Sequence, residues 1–340
     1  MKINNRRYIG CKTKLLPNIY DAVVKRGFNN LNASFADIFA GTGAVGGYFA
    51  DKGFNVIFND TLYSNYVAYC AFYGNGDLNF EKLSKKISLF NLIDSKTLTE
   101  NYFSRVYGKK YFSIDDAKKI GYIRDTIENE KNIFSEREYY YLITSLMYAC
   151  DKIANTVGHF ESYLKSEPDT KGIKMELLEI NNKINPAKIF NEDANMLVKK
   201  VKADIVYIDP PYNARQYINF YHVIENLARW NKPTEFEGDS MKFKRDELKS
   251  DYCRKKAPAL FYDLINDIDA KLIIVSYNNT YKAGSISSVN TISSEQIIDV
   301  LQKKGKVSVE EINFKAFNSG KTELKGHKEL LYICEVYKNE

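Results

Sequence analysis

Asp204-Ile205-Val206-Tyr207-Ile208-Asp209-Pro210-Pro211-Tyr212 is an apolar run closed by an acid and two prolines. Ile205 to Ile208 is continuous, β-branched and aromatic, which predicts a strand of a parallel sheet covered on both faces. Proline lacks a donor for the ladder, so the strand must stop at Asp209. In open α/β sheets ligands gather at the carboxyl ends of strands. Asp209, Pro210, Pro211 and Tyr212 are therefore the candidate catalytic residues. A carboxylate and a prolyl carbonyl only accept hydrogen bonds. Side by side they can hold both hydrogens of a planar –NH2 group and turn its lone pair toward an electrophile, while Tyr212 stacks on the ring that bears it. The alternative is a tight strand-to-loop turn in which Asp209 accepts nearby backbone N–H groups and Tyr212 packs. A tetrapeptide alone leaves both open.

A second pattern lies upstream. Ser34-Phe-Ala-Asp-Ile-Phe-Ala-Gly-Thr-Gly43 predicts a strand, a glycine turn and a helix through Ala50. Gly41, Gly43 and Gly46 satisfy G-x-G-x-x-G, in which the backbone turns sharply and admits a ligand where a Cβ would block it. A second strand, Val56 to Phe58, ends at Asn59-Asp60, close to the offset at which an acid holds ribose hydroxyls. The pattern predicts a nucleoside-bearing cofactor. Asp37, inside D-x-F-x-G-x-G, occupies a position that is normally apolar in nicotinamide fingerprints, and hydride transfer has no use for D-P-P-Y. Both features favour S-adenosylmethionine over NAD.

Between the two patterns, residues 62–185 break the strand–helix alternation and predict a mainly helical insertion. Glu136 to Ala154 is its clearest helix, with Tyr140, Ile143, Leu146, Met147 and Cys150 at three- and four-residue steps. The Asn155–Phe160 turn after it suits either a ligand contact or a plain helix end at Gly158. The alternation resumes at Ala187–Phe190 and puts Asp193 and Ala194 at the same edge as Asp60 and Asp209. Tyr217 to Trp230 is helical. Residues 231–258 are charged, and Lys244, Arg245 and Arg254 there, with Arg215, are candidate DNA contacts; a solvated loop is the plainer reading. Lys271–Asn279 is another buried strand. Val307–Phe317 and Leu330–Val336 predict an antiparallel hairpin on the sheet edge. Arg6 to Pro17, taken alone, is a basic surface turn leading into a helix.

Composition narrows the classes further. The 340 residues exceed the length of one ordinary domain, and a net charge of +6 suits a polyanion partner as well as simple solubility. Five single cysteines and three distant histidines argue against a disulfide framework and against a metal site. Neither a signal peptide nor an apolar stretch of spanning length occurs, so a cytoplasmic protein without membrane contact is expected.

Taken in order, Y-I-G-C-K (8–12), D-I-F-A-G-T-G (37–43), N-D (59–60), D-P-P-Y (209–212) and the terminal hairpin resemble the Dam-like adenine DNA methyltransferases of restriction–modification systems. The resemblance implies a Rossmann-like, S-adenosylmethionine-dependent α/β catalytic domain formed by 1–61 and 186–340, with 62–185 as target-recognition insertion. It implies that Tyr8 and Lys12 belong to the N-terminal motif, with Lys12 near the methionine carboxylate; Cys11 replaces a frequent glycine there. Asp37, Phe39, Gly41, Thr42 and Gly43 would line the methionine part, Asp60 the ribose, and Asp193 with Ala194 the cofactor adenine. Asp209, Pro210 and Tyr212 would receive an adenine flipped out of double-stranded DNA, and no metal is required. A cognate restriction endonuclease is the partner the resemblance suggests; the motifs do not fix an oligomeric state. Methylation of RNA or of a protein glutamine uses related tips, and a catalytically silent DNA-binding copy is a further alternative.

Overall fold

The computed structural model describes residues 2–3, 6, 10, 12–29, 32–211, 213–279, 289–313 and 328–337. Among these are β1 (Ser34–Asp37), β2 (Asn55–Asn59), β3 (Lys188–Phe190), β4 (Ile205–Ile208), β5 (Phe236–Glu237), β6 (Lys242–Phe243), β7 (Leu272–Asn278), β8 (Gly305–Asn313) and β9 (Lys328–Val336). Seven of them form one sheet in the order β3-β2-β1-β4-β7-β9-β8. β1 runs parallel to β2 and β4, and β4 parallel to β7. β9 is antiparallel to both β7 and β8. The predicted hairpin is thus present, with β9 tucked inside and β8 at the rim; residues 314–317 of its expected first strand lie outside the described residues.

All four residues of β4 and all seven of β7 are buried, as continuous apolar runs require when both sheet faces are covered. On one face Ala36, Ile38, Val206, Ile208, Ile273 and Val275 pack with Phe261, Leu264, Ile297 and Leu301 from the helices Ala257–Asp267 and Ser294–Gln302. Elsewhere Phe35 of β1 stacks on Phe49 of the helix Ala44–Asp51, with centroids 3.8 Å apart. Each such fully buried side chain contributes about 1.5–3 kcal/mol of transfer free energy. Pro258 starts the helix Ala257–Asp267, where its fixed φ suits the first turn and its missing N–H has no partner to lose.

The chain divides into two units. One contains Lys12–Thr61, Phe190–Tyr217 and Lys249–Glu340; the other contains Met1–Cys11, Leu62–Ile189 and Ile218–Leu248. The second is mainly helical, with Tyr63–Tyr73, Phe80–Leu92, Tyr102–Tyr107, Ile114–Asn129, Glu136–Ile153 and most of Tyr217–Arg229. Buried Glu225 accepts hydrogen bonds from Tyr63 N and Ser64 N, both at 2.9 Å, so a carboxylate from another helix caps an N-terminus whose own cap residue, Leu62, cannot. Arg6 is 5% exposed and pairs with Asp151 and Asn65. Lys12 is equally buried. The expectation of a basic surface turn over Arg6 to Pro17 fails at these two cations, because each finds carboxylate or amide partners far away in sequence. The Asn155–Phe160 turn is held by Asn155, whose side-chain amide donates to the carbonyls of Lys110, Leu164 and Ser166.

Candidate active site

Parallel pairing of β2, β1, β4 and β7 sends their carboxyl ends to one edge, and the acids at those ends meet there. Asp37 is level with Tyr207 across the β1–β4 ladder, so Asp209 stands two residues beyond it on the neighbouring strand. The glycine turn follows β1 directly. Gly41 and Gly43 have φ of +54° and +74°, conformations that L side chains rarely adopt, and Thr42 between them is buried. Gly43 occupies the cap position of the helix Ala44–Asp51 and has no side chain to cap with. Asp37 does so instead, its Oδ2 accepting from Gly46 N at 2.9 Å. A Cβ on Gly46 would lie 2.3 Å from the Phe58 ring, so this glycine is also what lets helix and strand approach.

The other oxygen of Asp37, Oδ1, is buried without a hydrogen-bond partner among the described residues. Burial pushes the Asp37 carboxyl up to about 8; the Gly46 N–H opposes the shift, and the charges of Asp209 and Asp60 add to it. At neutral pH the group therefore holds a proton and presents an O–H donor. Asp60 Oδ2 accepts from Gly41 N at 2.9 Å and ties the end of β2 to the glycine turn. Asn59 extends that tie: its amide nitrogen donates to Ile38 O and Glu192 O, and its oxygen accepts from Glu192 N. Asn191 in turn donates to Asp60 O at 2.7 Å. Asp193 is exposed and caps the short helix Ala194–Leu197, accepting from Asn195 N and Met196 N, while Ala194 is buried. Phe39 meets the ring of Tyr252 edge-on at 5.1 Å, and the Tyr252 hydroxyl donates to Asn195 Oδ1.

At the tip of β4, Asp209 keeps 15% of its side-chain surface open, Pro210 is buried and Pro211 half-buried. Lys12 Nζ lies 3.3 Å from Asp209 Oδ1 and 3.2 Å from Glu329 Oε2. Burial pushes the Asp209 carboxyl up to about 7; the Lys12 ammonium opposes this and the Glu329 carboxylate reinforces it. The segment after the tip is clamped by a reciprocal pair between Gln216 and Ser250, and by Cys253 Sγ donating to Arg215 O.

Tyr8 and Tyr212 lie outside the described residues. Of the candidate DNA contacts, Arg215 and Lys244 are exposed, and Arg254 is half-exposed beside Asp251. Arg245 is buried and holds Asn219, Glu237 and the Phe243 carbonyl, fixing the two-strand ribbon β5–β6. Glu329 and Tyr252 escape a reading of the sequence, and Asn59 figures there only as half of the N-D motif. The one available signal for Glu329 is an acid opening an otherwise apolar run, Leu330 to Cys334. No group of three or more metal-ligating side chains occurs among the described residues.

Comparison with known proteins identifies the family. A family model described as D12 class N6 adenine-specific DNA methyltransferase matches residues 8–277. The chain is 38% identical over 333 residues to the modification methylase StsI of Streptococcus sanguinis, which covers 92% of this chain and 49% of the relative. It is 36% identical over 318 residues to the type II methyltransferase M.FokI of Planomicrobium okeanokoites, covering 88% of the chain and 47% of the relative. With the type II methyltransferase M.NlaIII of Neisseria lactamica the identity is 31% over 347 residues, covering 96% and 98%. The chain thus spans about half the length of the first two relatives and nearly all of the third. A match over most of the chain, on a sheet whose strand ends carry the D-x-F-x-G-x-G turn and the D-P-P tip, places it: the chain belongs to the D12 class N6 adenine-specific DNA methyltransferase family.

Proposed function

We propose that this chain methylates the exocyclic N6 amine of adenine at a specific sequence in duplex DNA, with S-adenosylmethionine as donor, by base flipping and direct methyl transfer. The observation that carries the reading is the placement of Asp209 and Pro210 beside β1 and its glycine turn, on one sheet edge. The residues present fit the donor. The two left-handed glycines open the backbone to a ligand, Asp37 Oδ1 is a buried donor in need of an acceptor, and Asp60 and Asp193 occupy the next two strand ends. In this reading Asp37, Phe39, Gly41, Thr42, Gly43, Asp60, Asp193 and Ala194 hold the cofactor together with Tyr8 and Lys12. When bound, S-adenosylmethionine supplies a methyl group on an electron-poor sulfonium sulfur.

The target nitrogen lies inside a base pair, so the base is extruded at a cost of a few kcal/mol, offset by pocket contacts and stacking on Tyr212. Asp209 and the Pro210 carbonyl accept the two amine hydrogens and aim the lone pair; no prior ionisation of the amine is needed. Catalysis is then mainly alignment and electrostatic placement. Residues 1–61 and 186–340 act as the catalytic part in this proposal. Residues 62–185 read the target, Arg215, Lys244 and Arg254 are the candidate DNA contacts that remain, buried Arg245 being taken up by its own partners, and a restriction endonuclease of the same specificity is the cytoplasmic partner. Relatives named modification methylases and type II methyltransferases support that partner.

The test is transfer of labelled methyl groups from S-adenosylmethionine to plasmid DNA and to total RNA, with modification mapping on the DNA. N6-methyladenine at a defined sequence is expected. Asp209→Ala is expected to keep donor binding by calorimetry and to lose about a thousandfold in turnover. Wild-type turnover in that variant would overturn the role of the tip.

A further inference from the structure

Lys12 is a buried cation shared by two carboxylates rather than the partner of one. Its Nζ is 3.2 Å from Glu329 Oε2 and 3.3 Å from Asp209 Oδ1, and the side chains of Lys12 and Glu329 are each 5% exposed. A buried acid left alone with one ammonium draws it into the closest contact available, since Coulomb attraction is poorly screened away from water. Lys12 already lies within ion-pair distance of Asp209 Oδ1, and a still tighter contact would withhold that oxygen from the amine. Glu329 holds the same ammonium and opposes that tightening. As the second residue of β9 it lies opposite Asn278, the last residue of β7, and so approaches the tip of β4 from two strands away.

We propose that Glu329 is a positioning residue: it shares the Lys12 ammonium with Asp209 and limits how closely that ammonium approaches, which leaves the Asp209 carboxylate accessible to the substrate amine. The inference rests on the reading of Asp209 as the amine acceptor. Among the described residues, the ionisable groups around Asp209 are Lys12 from the segment before the first helix, Glu329 from β9, Asp37 at the end of β1, which in turn feels Asp60 just after β2, and Tyr207 within β4. Of these described groups only Lys12 is a cation. Neutralising Glu329 removes one negative neighbour and releases Lys12 toward Asp209, and both changes favour the ionised carboxylate.

The experiment uses the full chain without ligands, so it does not depend on catalysis. The carboxyl carbon of Asp209 is followed by 13C NMR against pH in the wild type, in Glu329→Gln, in Lys12→Met and in the double variant. The midpoint is expected to fall by about half a pH unit or more in Glu329→Gln and to rise in Lys12→Met; in the double variant the Glu329 change should have at most a small further effect. An unchanged midpoint in Glu329→Gln overturns the proposal, and so does an equal shift with and without Lys12. In parallel, Glu329→Gln turnover on DNA is expected to drop about tenfold, with the dissociation constant for S-adenosylmethionine changed less than about threefold. The reverse split, wild-type turnover with weakened donor binding, would leave Glu329 no part in positioning Asp209 and would overturn the proposal as well. Should the glutamine variant not fold, Glu329→Asp, which keeps the charge and withdraws it by one methylene, carries the same test: lower turnover with donor affinity kept supports the role, and wild-type turnover refutes it. Failure of Asp209→Ala to lose activity would sink the acceptor reading itself, a result distinguishable from all of these.

Discussion

In the proposed mechanism Asp209 acts as a carboxylate whose oxygens accept the amine's hydrogens, so its protonation is expected to gate the reaction. Burial lifts it to about 7, against the pull of Lys12. The ionised, active form is therefore dominant above about pH 7 and is lost as the pH falls through that value. The acid limb of kcat/KM is expected near pH 7, falling about tenfold per pH unit below it, because this parameter reports the free enzyme. Asp37 also titrates and feels Asp209, so the limb belongs to the pair in part. Lys12→Met is expected to move the limb upward in a pH-rate series with saturating donor; a limb that stays in place would assign it to another group. Asp209 was legible in the sequence because two prolines mark a strand end. Glu329 was not, because its partner Lys12 lies 317 positions away and no local pattern joins them.

The glycine turn shows how an element serves the site. The sequence predicts the strand, the turn and the helix, and all three occur with β1 at Ser34–Asp37 and the helix at Ala44–Asp51. It does not predict that Asp37 caps that helix across nine residues, with one oxygen on Gly46 N and the other left over. Gly46→Ala tests the arrangement. Its Cβ would meet the buried Phe58 ring at 2.3 Å, so helix and strand must part. A loss of about 1–3 kcal/mol in denaturant unfolding is expected, together with weaker binding of S-adenosylmethionine in calorimetry. Unchanged stability would mean that the ring moves freely, which its complete burial argues against.

For the molecule as a whole, charge sets the terms of the DNA binding proposed above. A net charge of +6 is modest, so phosphate contacts must come from local cations. Lys244 is exposed, whereas its neighbour Arg245 is spent on Asn219 and Glu237. Lys244→Ala is expected to lower the slope of log affinity against log salt by about one, with binding of S-adenosylmethionine unchanged. Fluorescence anisotropy with labelled duplex across a salt series measures it, and an unchanged slope would place the phosphate contact elsewhere.

What the sequence determined by itself was everything written in short-range pattern. A four-residue apolar run must be a covered strand, prolines must end it, and glycines must turn the chain before a helix; such rules act within a few bonds. The tertiary structure alone decided which charges are shared. Arg6 and Lys12 read as surface cations and are buried, because their partners Asp151, Asn65, Asp209 and Glu329 arrive from distant elements. Burial, and the electrostatics that follow from it, depends on what packs above a residue, and that is settled only when the sheet closes around the site.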